Sequence, residues 1–188
     1  RQIGFGWSQG EVRVTDCQLH SDRVALTLAT PLGPIATEIP APGEHVARNA
    51  LTAVSLAIAL GVSASAIAQG LSQFAGAPGR LQRKLRADGV LVLDDTYNAN
   101  PDSMRAALRV LAAQPGARHA VLGDIGELGD GGPAMHAEVG AFARELGIDS
   151  LHGLGELSAH TVAAFGSGGQ HYADLDALLA GLAPLLHA

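Results

Sequence analysis

The chain has 188 residues, of which 47% are hydrophobic but only 4% aromatic, so its core must be built from alanine, leucine and valine, a composition suited to helices laid on sheets. A net charge of −6 argues against a nucleic-acid coat or an anionic membrane surface, so neither nucleic acid nor membrane is expected as a partner. Cys17 is the only cysteine, which excludes an internal disulfide and a zinc ribbon and fits a reducing compartment, making the cytoplasm the expected location.

Along the chain, Glu11 to Thr15, Arg23 to Leu28 and Ile35 to Ile39 alternate apolar with polar residues. Turn residues separate them at Ser21-Asp22 and Pro31-Leu32-Gly33-Pro34, so they read as an antiparallel meander. After Pro42-Gly43 the period becomes helical. Val46, Ala50, Val54, Ala57 and Ile58 form one stripe, and Gly61 stops it. The stretch from Ala50 to Leu60 is the longest apolar run; Thr52 and Ser55 interrupt it, and it is too short to span a bilayer. A second helix is predicted from Ser63 or Ser65, carrying Ile67, Leu71 and Phe74. It should stop before Gly76-Ala77-Pro78-Gly79, whose small residues mark a hinge.

Beyond the hinge, strand and helix patterns alternate. Leu81 to Leu85 alternates, Asp88-Gly89 turns, and Val90 to Leu93 is a short, wholly apolar strand. Asn100 and Pro101 supply the N-cap and first position of a helix using Met104, Leu108 and Leu111. Strand His119 to Leu122 follows, then a helix from Pro133 carrying Val139, Phe142 and Leu146 and closed by Gly147. Strand Ser150 to Leu154, helix Leu157 to Phe165, strand His171-Tyr172 and helix Leu175 to Leu186 complete the pattern. The predicted fold is α/β: a meander plus helices over residues 1–78, then a Rossmann-like α/β domain over 79–188 with helices on both faces of its sheet.

Open α/β sheets bind ligands at the carboxyl ends of their strands. Two such ends are unusually polar. The first is the run from Asp94 to Ser103, which contains Asp95, Tyr97, Asn98 and Asn100. It suits a ligand with hydroxyl, amide or phosphate groups, or a loop whose polar side chains cap a helix and face water. The second is Gly123-Asp124-Ile125-Gly126-Glu127-Leu128-Gly129, with His136 downstream, which is either a ligand loop or a flexible solvated one. His45 and Asn49 share one face at a helix start, where they meet a ligand or only solvent. Arg80 follows the hinge, placed to reach a phosphate on domain closure or to sit on the surface of a basic strand. Gly153-Leu154-Gly155 lacks the third glycine of a dinucleotide fingerprint, and no Gly-x-Ser-x-Gly elbow occurs. Lys84 is the only lysine and lies outside any glycine-rich loop.

At these residues the chain resembles the Mur peptide ligases. The Asp95 to Met104 run and the Gly123 to Gly129 run with His136 resemble motifs of those members that add D-alanyl-D-alanine to UDP-N-acetylmuramoyl-tripeptide. Gly43 to Leu51 resembles the family's Gly-x-His-Asn-x-x-Asn segment, with Val46 where asparagine is common, and Gly79-Arg80-Leu81 resembles the opening of its C-terminal domain. The family's Gly-Thr-x-Gly-Lys-Thr phosphate loop and Lys-Gly-Ser-Arg stretch are not among these residues, so both ends read as cut and the chain by itself is expected to be inactive.

The resemblance implies that residues 1–78 belong to a central ATP-binding domain and 79–188 to the C-terminal domain. It implies ATP and Mg2+ as cofactors, the latter held mainly elsewhere, and peptide-bond formation through an acyl phosphate. It places His45, Asn49, Arg80 and Asp95 at the nucleotide, and Tyr97, Asn98, Asn100, Asp124 and Glu127 at the substrates. Arg80, Asp124 and His136 are implied for catalysis. Two rival readings remain: another Mur-type or folate-tail-extending ligase, or a non-catalytic α/β module that binds a nucleotide.

Overall fold

Each half of the chain builds its own core. In the computed structural model, which describes residues 2–74 and 76–186, the chain separates into two compact units, 1–77 and 78–188.

The first unit opens with β1 (Phe5–Gly6), β2 (Val12–Leu19), β3 (Val24–Ala29) and β4 (Ile35–Ile39), hydrogen-bonded in that order. β2, β3 and β4 are antiparallel neighbours, as the alternation requires. The two-residue β1 pairs parallel with β2, a contact too short to leave a periodic trace. Strand β2 runs four residues past the predicted Thr15, because a register shift between Val14 and Asp16 breaks its alternation. Val24, Leu26 and Leu28 of β3 are fully buried, each burial stabilising the unit by about 1.5–3 kcal/mol. Over this face lie α1 (Glu44–Ala59) and α2 (Ala64–Ser72). Helix α1 buries Ala47, Ala50, Leu51, Val54 and Ile58, with Val46 and Ala57 packed at the margin. Ser63 caps α2 by accepting from the Ala66 amide. Phe74, expected on that helix, lies beyond its end and is 44% exposed.

The second unit begins with a hairpin, β5 (Gln82–Leu85) and β6 (Leu91–Asp94), paired antiparallel from Gln82↔Asp94 to Leu85↔Leu91. Next come α3 (Pro101–Ala112), β7 (His119–Leu122), α4 (Gly132–Glu145), β8 (Ser150–Leu154), α5 (Ser158–Phe165), β9 (Gly169–Tyr172) and α6 (Leu175–Leu182), followed by a 3-10 turn, Ala183–Leu186. β7, β8 and β9 form a parallel sheet in chain order. The predicted alternation is present, but among the described residues β6 pairs with β5 and not with this sheet. The Asp88-Gly89 turn is the reason: a tight turn joins antiparallel strands, whereas parallel neighbours need a crossover. Leu108, Ala120, Ile125, Val139, Ala143, Ile148, Leu151 and Phe165 form the core on one face of the parallel sheet. Helix α3 starts where the sequence says. The Asn100 side chain accepts from the Ser103 amide, the Ser103 hydroxyl closes the reciprocal half of the box, and Pro101 fills the first turn.

Candidate functional site

In the first unit, His45 and Asn49 sit in the opening turns of α1, one residue half-buried and the other exposed. Gly43 supplies no side-chain cap. Glu44 instead pairs with Arg48 at 2.6 Å, and the Arg48 guanidinium lies 4.9 Å from the centre of the Trp7 ring. Val46 packs against the core of this unit, which accounts for an apolar residue there.

In the second unit, the loop after β6 is folded by its own polar groups. The Asp95 carboxylate accepts from the Leu81 amide at 3.0 Å. Leu81 has a φ of 49°, a left-handed conformation that a leucine adopts only when its surroundings hold it. Beside it, the Tyr97 amide donates to the Gly79 carbonyl at 3.0 Å. Gly79 has a φ of 66°, and a Cβ there would lie 3.1 Å from the Tyr97 nitrogen, so the approach needs glycine. The guanidinium of Arg80, an exposed residue, stacks on the Tyr97 ring at 4.3 Å. Thus the segment Gly79-Arg80-Leu81 and the loop Asp95-Thr96-Tyr97 are bound together at three points.

The other polar groups of this loop are largely occupied in building it. Lys84 pairs with Asp94 at 2.5 Å and Thr96 donates to the same carboxylate at 2.7 Å. The Lys84 ammonium, then the Thr96 hydroxyl, hold the Asp94 carboxyl below its ordinary range. Asn98 accepts from the Ala99 amide at 2.9 Å. The Asn100 carbonyl oxygen is used as the α3 cap, so the capping explanation of this residue holds. Tyr97 is 68% exposed and, with Asn98, forms the outward face.

After β7, Asp124 accepts from the Ser158 amide, at the start of α5, at 2.7 Å. Ile125 is buried behind it, and Glu127 is exposed with a φ of 62°. His136 was expected to line a cleft here and does not, being 1% exposed. Its Nδ1 lies 2.9 Å from the Gly132 carbonyl, which can only accept, so Nδ1 carries the proton. Its Nε2 accepts from the Ile125 amide at 3.1 Å. Both ring nitrogens are therefore spent on anchoring the loop.

A further polar cluster lies on the opposite face of the parallel sheet. His119 Nδ1 is 2.7 Å from Ser150 Oγ, Ser150 Oγ is 2.8 Å from His152 Nε2, and His152 Nδ1 is 3.0 Å from Tyr172 Oη. The Tyr172 hydroxyl donates to Gln170 Oε1. An amide oxygen only accepts, so every proton along the chain has one position: His152 donates from Nδ1, and its Nε2 accepts from Ser150, which accepts from His119. Burial of His152, then the nearby His119, push the His152 imidazole below its usual pKa. The sequence carried a trace of this cluster: Ser150 and His152 are two apart, as are Gln170 and Tyr172, so each pair shares a face.

Magnesium was expected from the resemblance. The resemblance places it mainly outside this chain, and among the described residues no group of three or more His, Cys, Asp and Glu side chains could hold a metal ion. No helix of the described residues is long and apolar enough to cross a membrane.

A parallel α/β unit opened by a clamped Gly-Arg-Leu segment, with polar loops at two strand ends, defines a ligase domain of the Mur type. Residues 79–187 match the family described as Mur ligase, glutamate ligase domain, and the chain belongs to that family. It is 38% identical over 179 residues to the UDP-N-acetylmuramoyl-tripeptide--D-alanyl-D-alanine ligase of Escherichia coli, covering 95% of this chain and 39% of that protein. The crystal structure of MurF from Acinetobacter baumannii superposes with a TM-score of 0.90 at 38% identity, over 97% of this chain and 40% of the other. MurF ligase of Thermotoga maritima, solved in complex with ADP, shares the fold with a TM-score of 0.79 at 22% identity, over 97% of this chain and 42% of the other. The chain thus spans about two fifths of the length of these relatives.

Proposed function

We propose that this chain serves an ATP-dependent amide ligation that adds D-alanyl-D-alanine to UDP-N-acetylmuramoyl-tripeptide, a cytoplasmic step in making the peptidoglycan precursor. ATP phosphorylates the terminal carboxylate of the tripeptide, the dipeptide amine attacks the acyl phosphate, and inorganic phosphate leaves. Residues 1–78 act as part of the ATP-binding domain and 79–188 as the C-terminal domain. Asn49 and His45 serve the adenine, Asp95 the ribose, and Arg80 the phosphates. Tyr97, Asn98, Asp124 and Glu127 receive the dipeptide and acyl phosphate. Asn100 contributes by capping α3, and His136 by fixing the loop that carries Asp124. Such catalysis is mostly placement and electrostatics, so no side chain of this chain is assigned a proton-transfer step.

The observation that carries this reading is the clamp between residues 79–81 and 95–97. It joins the Arg80 and Asp95 motifs, apart in sequence, through the Asp95–Leu81 bond and the Arg80–Tyr97 stack. The test is to titrate 15N-labelled chain with ATP, with D-alanyl-D-alanine and with L-alanyl-L-alanine. Shifts at Asp95 and Tyr97 with ATP, and at Asn98 and Asp124 with the D,D-dipeptide but not the L,L-form, are expected. Equal response to both dipeptides, or to no ligand, would reject the reading.

A further inference from the structure

We propose that Gly155 and Ser158, in the turn between β8 and α5, are positioning residues for Asp124, setting where its carboxylate meets the reacting amine. This inference rests on the ligase reading above.

Asp124 follows β7, yet its carboxylate is placed by the turn after the neighbouring strand. Its Oδ1 accepts from the Ser158 amide, 34 residues away, at 2.7 Å. Gly155 has a φ of +117°, and a Cβ built there would fall 2.5 Å from Asp124 Cγ and Oδ1 and 2.8 Å from Oδ2. The carboxylate therefore rests on the bare α-carbon of Gly155, where no other residue leaves room. The turn is itself held: the Ser158 hydroxyl donates to the Gly155 carbonyl at 2.7 Å, and His171 Nε2 reaches the same oxygen at 2.7 Å. Ser158 is fully buried, so its amide is a fixed donor. Parallel pairing of Leu122 with Gly153 brings the two strand ends side by side. This gives Gly153-Leu154-Gly155 a purpose other than dinucleotide binding: Gly153 admits Val162 and Ser158 of α5, and Gly155 admits Asp124.

A carboxylate serving only as a helix cap normally comes from the residue just before the helix. Asp124 instead comes from another strand end, is exposed, and among the described residues pairs with no cationic side chain. It is an anion fixed in place before any ligand arrives, at the strand end where open α/β sheets take ligands. Its chemistry suits the N–H groups of an incoming amine.

The test is a double-mutant cycle on the 188-residue chain, with D-alanyl-D-alanine affinity read by chemical-shift titration. Gly155→Ala should weaken binding about tenfold or more, and Asp124→Asn similarly. Their combination should cost little beyond either alone, because a displaced carboxylate has nothing further to lose. Should Gly155→Ala not fold, Ser158→Ala replaces it: loss of the hydroxyl that closes the turn should weaken binding several-fold, again without adding to Asp124→Asn. Full additivity, or binding within twofold of wild type in the folded Gly155 or Ser158 variant, overturns the proposal. Absence of dipeptide binding in the wild-type chain overturns the ligase reading itself, and this inference with it.

Discussion

The guanidinium carbon of Arg80 lies over the Tyr97 ring, 4.3 Å from its centre, so this arginine rests on the loop it precedes. A stack at an exposed site contributes about 0.5–1 kcal/mol. Tyr97→Ala should lower the stability of the C-terminal unit by about that amount, while Tyr97→Phe should leave it unchanged because the ring face remains. Urea unfolding followed by far-UV circular dichroism measures both. An equal loss in the two variants would show that the hydroxyl, not the stack, matters.

Asp95 should cost more. It supplies a charged acceptor to the amide of Leu81, which is held at a φ of 49°. Bonds to charged groups contribute about 1.5–3 kcal/mol, and left-handed leucine stores about 1–3 kcal/mol that the bond helps to hold. Asp95→Ala should therefore destabilise by about 2 kcal/mol, and Leu81→Gly in that background should recover part of the loss by removing the strain. A Leu81→Gly change that destabilises further would contradict the strain argument.

His136 is the residue whose chemistry looks catalytic but whose surroundings are those of a core group. Truncation to alanine leaves the buried Ile125 amide without its acceptor, whereas the Gly132 carbonyl keeps the backbone N–H of residue 136 within α4. A buried group left unsatisfied costs about 1–3 kcal/mol, so His136→Ala should destabilise by about that amount. The Gly123–Gly129 amides should lose hydrogen-exchange protection with it. Unchanged stability would return His136 to consideration as a group that meets substrate.

This contrast locates what the sequence could tell. Period and capping are local, so β3, β4, α1 and α3 were legible, down to the Asn100 cap and Pro101. The polar strand ends at Asp95 and Asp124 were legible as places, because they are composed of unusual residues. Partners were not. The Asp95–Leu81 bond, the Asp124–Ser158 bond and the His136 anchor join residues brought together only by tertiary folding. A histidine four residues after the carbonyl it bonds gives no sequence sign of whether it faces core or cleft. The pairing of β6 with β5 was missed for a related reason: an apolar run fits a sheet interior or a hairpin equally, and the turn at Asp88-Gly89 decided it.

Stability should depend on pH through His152. Its imidazole pKa is pushed below the usual value by burial first and by His119 second. The groups around it are His119 on β7, Ser150 on β8 and Tyr172 on β9, with the Arg118–Asp149 pair beside His119 and Ser150 in sequence; α6 sets Gly181 against Tyr172, and Asp174, Asp176 and His160 are exposed. A lowered histidine pKa means the unfolded chain binds the proton more readily. The stabilisation is thus complete above about pH 6.5 and is lost as pH falls from there toward the folded value, with a limiting slope of about 1.4 kcal/mol per pH unit. Protonating Nε2 would also reverse Ser150 and break the chain to His119. Urea midpoints between pH 7.5 and 5 should fall in the wild type and much less in His152→Asn. Parallel profiles would assign the pH dependence elsewhere.

The 188-residue chain should release no phosphate from ATP in a substrate-dependent way, even with both peptide substrates and magnesium present. Transfer of a phosphoryl group requires backbone amides and a lysine around the β- and γ-phosphates. The one lysine of this sequence, Lys84, lies in β5, where it pairs with Asp94 across the hairpin. Freeing it would cost the Asp94 carboxylate its strongest stabilising contact and would still leave it on a strand without a glycine-rich loop. Arg80 is the available cation beside the Asp95 loop, and it is stacked on Tyr97. These groups can hold pieces of a nucleotide but do not surround a triphosphate, so binding without turnover is the expected behaviour. The measurement is phosphate release from purified chain with ATP, magnesium, UDP-N-acetylmuramoyl-tripeptide and D-alanyl-D-alanine, against the same mixture lacking the tripeptide and against a Lys84→Ala variant. Tripeptide-dependent release that disappears in Lys84→Ala would mean that the hairpin lysine leaves Asp94 to serve the phosphates, and that Lys84 rather than Arg80 is the cation that meets them.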